Sequence, residues 1–200
     1  MRTSERSQRT VRGNRSVRLI AAIAALSAGL SLAISDWLRL IFPTVDDVAC
    51  DNGASYAVNL ADLVKFASIG LAVFMLARLA SDGISTLARG MATVAATASA
   101  LTGLANAVEH CAHLDAVGMA YVVSLIVGLA ATIWFGILLG SSQVGSRWMG
   151  WAIAFGTLAW WFGAEQGWGR PIDAAVWTAV GVAILTARSE SRGWVDPSAS

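Results

Sequence analysis

Residues 19–42, LIAAIAALSAGLSLAISDWLRLIF, decide the architecture. At a helical rise of about 1.5 Å per residue the run covers about 36 Å, enough to cross a hydrocarbon core of about 30 Å. It exceeds the apolar core of a cleavable signal, about 7–15 residues, and is read as a membrane helix that stays in place. The rest of the chain agrees. Of its 200 residues 56% are hydrophobic and 14% charged, with a mean hydropathy of +0.61. Soluble domains run at about 45–50% apolar and about 25% charged. So little polar surface cannot cover a globule in water, which excludes an ordinary soluble domain.

Five further apolar runs follow, from about Ala57 to Ala80, Ser85 to Val108, Ala116 to Gly140, Trp148 to Gly163 and Ile172 to Ala187. Short connections rich in turn and charged residues separate them. The expected fold class is all-α: a polytopic membrane protein built as a six-transmembrane-helix bundle. Residues 1–18 carry six Arg and almost nothing apolar, so they read as a disordered basic tail. The six-span domain then occupies residues 19–188, and 189–200 form a C-terminal tail.

Charge distribution orients these spans. With the N-terminal tail inside, eleven basic residues fall at or near the inner ends, against Arg39, Lys65 and Arg170 toward the outside. That asymmetry follows the positive-inside rule and puts both termini in the cytoplasm. Thirteen of the fourteen basic residues are Arg, and Ala and Gly are abundant, a usage that suggests a bacterial inner (plasma) membrane. The net charge of +1 gives no argument for nucleic acid. The Arg-rich tail is read as a topology signal attracted to anionic lipid. Association with further copies or other chains is left open.

Two packing expectations come from the small residues. The third run is dominated by Ala, Gly, Ser and Thr, which let backbones approach closely and place it at the centre of the bundle. Gly136-x-x-x-Gly140 and Ala175-x-x-x-Ala179-x-x-x-Ala183 are further close-packing candidates. Trp148, Trp151, Trp160 and Trp161 bracket the fifth run and read as an interfacial aromatic belt.

Charges within spans are costly and mark candidate sites. Asp36 and Arg39, and likewise Asp62 and Lys65, stand at i,i+3 spacing, where each acid and base share a helix face and pair. Asn106 and Glu109 reach the same outer level from the third run. Together these six residues are the candidate polar pocket. Glu109, His110 and His113 would share one helix face, so zinc, copper or haem is the cofactor class their chemistry would admit. No cofactor is predicted, because no further ligands are evident and no catalytic motif occurs in the chain. The only two cysteines, Cys50 and Cys111, both fall in outer connections, where an oxidising compartment favours a disulfide. Such a bridge would hold the 46–53 loop over the polar residues as a lid. The favoured function is non-catalytic: an outward-facing polar pocket that binds or passes a small solute or ion. The alternatives are a structural or partner-binding subunit and a metal-dependent or redox enzyme.

Overall fold

The computed structural model describes residues 2–42, 50, 52–80, 83–142 and 147–187, with side chains from residue 15 onward except that of Asp115. It is all-helical. The six α-helices are α1 (Arg2–Ile41), α2 (Gly53–Leu79), α3 (Thr86–Ala112), α4 (Gly118–Ser141), α5 (Arg147–Gly163) and α6 (Gly169–Thr186), with a single 3₁₀ turn at Asp115–Val117 before α4. Four are long and apolar enough to cross a membrane: Arg15–Ile41 within α1, then α2, α3 and α4. With 17 and 18 residues, α5 and α6 are shorter. At about 1.5 Å per residue they measure about 26–27 Å.

Local chemistry sets the ends. Asn52 caps α2, its Oδ1 accepting from the amides of Ala54 and Ser55, while the Ser55 hydroxyl accepts from the amide of Asn52. That reciprocal pair satisfies amide donors that have no partner within the helix. Ser85 caps α3 through the amide of Ala88 at 3.1 Å. At the other end of α3, His113 takes a left-handed conformation at φ 54° and stops the helix. Arg18 closes α6 from a distance, its guanidinium donating to the carbonyls of Ile184 at 2.7 Å and Leu185 at 3.1 Å. A cation at the C-terminal carbonyls also complements the helix dipole. Arg18 therefore belongs to the packed bundle, and the helix around it runs back to Arg2. The C-terminal segment 189–200 lies outside the described residues.

Each helix packs chiefly on its two neighbours in sequence, and α6 packs back on α1, so the six close into a ring. The expectation that α3 sits at the centre fails; it is one stave among six, held between α2 and α4. Its small residues serve the contacts with those neighbours. Ala88, Ala92, Ala95, Ala98, Thr102 and Ala105 are buried, while Leu87, Val94, Leu101, Leu104 and Val108 point outward. The arrangement inverts that of a soluble bundle. Lipid is as apolar as leucine, so burying large side chains gains little, whereas close backbone approach gains dispersion contacts.

Half of the interior is an apolar floor. Val73, Leu76, Phe135, Leu139, Ile153, Val180 and Ile184 meet there with the buried alanines of α1. The other half holds most of the buried polar side chains. Gly136 and Gly140 set the α4–α5 contact as the spacing suggested: a Cβ on Gly136 would stand 2.7 Å from the Gly150 carbonyl and 2.8 Å from the Ala154 amide. Ala175 and Ala179, in contrast, lie on the exposed face of α6, where Ala174, Trp177 and Gly181 are buried instead. The Ala175–Ala183 stripe is therefore not a tight helix contact.

A Gly136→Ala substitution should force α4 and α5 apart and cost about 1–3 kcal/mol. Gly90→Ala, at an exposed position with open space around it, should be neutral or slightly stabilising. Thermal unfolding midpoints of the two variants in detergent compare the effects directly.

Candidate functional site

The site is centred on Asp62, buried in α2. Its carboxylate accepts from three donors: the Ser35 hydroxyl at 2.8 Å, the Arg39 Nη2 at 2.8 Å and the Lys65 Nζ at 2.6 Å. Both Asp62 and Lys65 are about 5% exposed at the side chain, and Arg39 is 21% exposed. Ionised carboxylates form strong hydrogen bonds with cationic donors, and a buried one needs them to offset lost hydration. Lys65 also stands 4.3 Å from the Phe66 ring centroid and 6.0 Å from that of Trp160, so its hydrocarbon surroundings are aromatic on two sides.

The pairing expected within each helix holds for one acid and fails for the other. Asp62 and Lys65 pair at i,i+3 as the spacing required. Arg39 does not pair with Asp36; it crosses to Asp62, and Asp36 takes Arg170 of α6 at 3.4 Å. The reason is azimuth: α1 lies between α2 and α6, so side chains three residues apart reach different neighbours.

Asn106 enters the interior at a separate point. Its Nδ2 donates to Asn59 Oδ1 at 3.0 Å, and Asn59 Nδ2 donates to the Ser55 carbonyl at 3.0 Å. Glu109 turns to the start of α4, where a Cβ on Gly118 would stand 2.6 Å from its Oε1. A carboxylate there complements the positive end of the α4 dipole. The six pocket candidates thus divide into a charged cluster of Asp62, Lys65 and Arg39, a second ion pair, an amide pair and a helix-end carboxylate.

Among the described residues no three His, Cys, Asp or Glu side chains form a metal-holding group. The helical face proposed for Glu109, His110 and His113 is broken, because α3 ends at Ala112 and His113 adopts positive φ. Cys50 and Cys111 lie at disulfide distance, with Cα atoms 4.7 Å apart. The Cys50 amide donates to the His110 carbonyl at 3.0 Å, docking the start of α2's leader on the end of α3. Most of the 46–53 loop expected as a lid, residues 46–49 and 51, lies outside the described residues.

Sequence reasoning missed three contributors. Ser35 and Asn59 carry no charge and look like ordinary packing residues. Asp173, close to the start of the sixth apolar run, reads as a charge at a helix end, yet it is buried in the ring at 5% exposure. It lines a cavity of about 30 Å³ with Ser99, Thr102, Thr132, Thr157 and Trp177. Its place four residues inside the start of α6 carries no sequence signal of burial.

Comparison with known protein families, curated proteins and solved structures finds no match for this chain. Function therefore rests on the geometry alone.

Protein isolated without reductant should resist maleimide labelling at both cysteines and accept two labels after reduction in denaturant. A Cys50→Ser variant should lose stability, by up to about 4 kcal/mol for the loop closed, across a separation of 61 residues. Mass spectrometry of the labelled chain and thermal unfolding measure the two effects.

Proposed function

We propose that this chain is a six-span protein of a bacterial plasma membrane, with both termini in the cytoplasm, whose polar interior binds or passes a small solute or ion. The observation that carries the reading is the polarity of the ring. Its exposed wall is rich in large apolar residues, whereas Asp62, Lys65, Asn59, Asn106 and Asp173 are buried within it. Polar groups at membrane depth face a bundle interior because lipid cannot solvate them.

The span count draws on ring closure together with the charge asymmetry. Helices α5 and α6 join α4 to α1 side by side, so they share the depth of the four longer helices. Their shortness is tolerable because a ring wall needs to match the bilayer only on its outer side. The basic N-terminal segment is placed against anionic lipid on the cytoplasmic face. Assembly with other copies or chains remains compatible with this arrangement.

A second reading, a structural or partner-binding subunit, is favoured by one observation. Asp62 and Asp36 are both neutralised by bases of the same chain. A self-satisfied cluster rigidifies a fold without any ligand. The two readings separate in reconstituted vesicles. Proton, sodium and potassium entry is followed with ion-sensitive dyes, and glycerol and urea entry by light scattering. The binding-and-passage reading expects at least one to enter faster than in protein-free vesicles. It also expects an Asp62→Asn/Lys65→Met chain to return that rate to the protein-free level. Rates indistinguishable from protein-free vesicles across the set would leave the structural reading.

Topology is checked separately. Reporter domains fused after Ala80 and after Gly140 should read cytoplasmic, and one fused after Asp115 external; the opposite pattern overturns the orientation.

A further inference from the structure

The cavity beneath the charged cluster has a composition of its own. Asp173 is 5% exposed, and its Oδ1 has no hydrogen-bond partner. That oxygen faces the α5 backbone at Gly156, beside Thr157. The indole of Trp177 lines the same cavity from one turn along α6. An unpartnered carboxylate oxygen in an apolar setting is among the costlier arrangements a protein can hold. Here it borders a space of about 30 Å³. One water needs at least about 10–15 Å³ on that measure, so the space suits one or two waters or a small ion.

Three of the hydroxyls around the cavity are spent as donors to carbonyls of their own helices. Thr102 donates to the Ala98 carbonyl at 2.8 Å, Thr132 to Gly128 at 2.7 Å and Thr157 to Ile153 at 2.8 Å. Each hydroxyl has one proton, so Thr132 and Thr157 retain oxygen lone pairs, while the Thr102 hydroxyl is also engaged with that of Ser124 at 3.0 Å. A space lined by Asp173, whose Oδ1 has no partner, and by threonine hydroxyls that have already given up their protons suits a cation better than an anion. Hard monovalent and divalent cations prefer such oxygen donors. A single carboxylate at membrane depth neutralises one positive charge, which selects a monovalent ion. Lys65 lies within electrostatic reach of Asp173 but is held by Asp62 at 2.6 Å. The other charges of the ring, Arg39, Asp36 and Arg170, are engaged in the ion pairs already described.

We propose that this chamber is a binding site for a small dehydrated monovalent cation of sodium size, held by Asp173 Oδ1 and the hydroxyls of Thr157, Thr132, Thr102 and Ser99. The proposal rests on the reading that the ring interior takes a small ion, and it adds the site and the class of ion. It concerns equilibrium binding, so it can stand or fall apart from passage across the membrane.

The test uses the full-length protein in detergent at fixed pH and ionic strength, with sodium chloride replaced stepwise by N-methylglucamine chloride. Sodium should raise the thermal midpoint saturably, and potassium should do so more weakly because the cavity is small. Asp173→Asn, which keeps the shape and removes the charge, should abolish the sodium effect. Thr157→Val should raise the half-saturating sodium concentration by about tenfold, a loss of about 1.4 kcal/mol. Calorimetric titration of sodium into the wild-type protein supplies a second readout that does not depend on variant folding. Equal midpoints in sodium and N-methylglucamine, with no heat of binding, would overturn the proposal. So would a sodium effect that survives Asp173→Asn, or a midpoint that follows pH alone, which would assign the chamber to a proton. Sodium binding without flux in vesicles would leave the site standing and remove passage.

Discussion

Three donors on one carboxylate organise the polar half of this ring. Asp62 receives Ser35 and Arg39 from α1 and Lys65 from its own helix. Removing the acid would leave two cations in a low-dielectric wall, and a buried ion deprived of its partner costs about 3–5 kcal/mol. Apolar packing between helices cannot make up such a loss in lipid, because the solvent competes equally well for leucine and phenylalanine. The polar cluster therefore fixes how α1 and α2 meet, and the remaining helices follow by close contact between small residues. Gly136 against Gly150 and the alanine face of α3 are the same solution applied where no charge is present.

The apolar floor plays the complementary part. Phe135, Ile153, Val180 and Ile184 fill the ring on the side where Arg18 caps α6. Large side chains are buried where the ring must be filled, and threonines and serines are buried where it is not. This division puts Asp173 and its cavity between a dry floor and a charged upper cluster. Near the cavity and the cluster above it, the acids Asp36, Asp62 and Asp173 stand with the bases Arg39, Lys65 and Arg170. Two of the acids are matched by contact and the third only through space.

The long apolar helices were legible in the sequence because lipid enforces an unbroken apolar run, which length arithmetic detects. The cysteine pair was legible because a chain with two cysteines leaves a single pairing within it. Helix azimuth was not legible. In water an apolar stripe marks the buried face, but here Leu101 and Leu104 face outward while Ala98 and Ala105 face inward. Hydrophobicity then says nothing about which neighbour Arg39 meets. The same blindness hid Asp173, whose position near a helix start reads equally well as an exposed end. Small residues did point to close contact in α3, but a ring offers many such contacts and no centre.

The short helices give the cavity its setting. On α2, the lining residue Phe66 lies thirteen residues inside the helix start at Gly53, about 20 Å along the axis at 1.5 Å per residue. On α6, Asp173 lies four residues inside Gly169, about 6 Å. On α5, Thr157 lies six residues from the end at Gly163, about 9 Å. Helices that share one cavity at such different distances from their ends form a rim that is about 10 Å lower over α5 and α6. The turn joining them exposes Glu165, Gln166 and Gly167 at that low point. The early position of Asp173 in α6 thus brings it close to the end of the ring at that turn. Arg170, one turn before it, pairs with Asp36 and carries positive charge at the same rim.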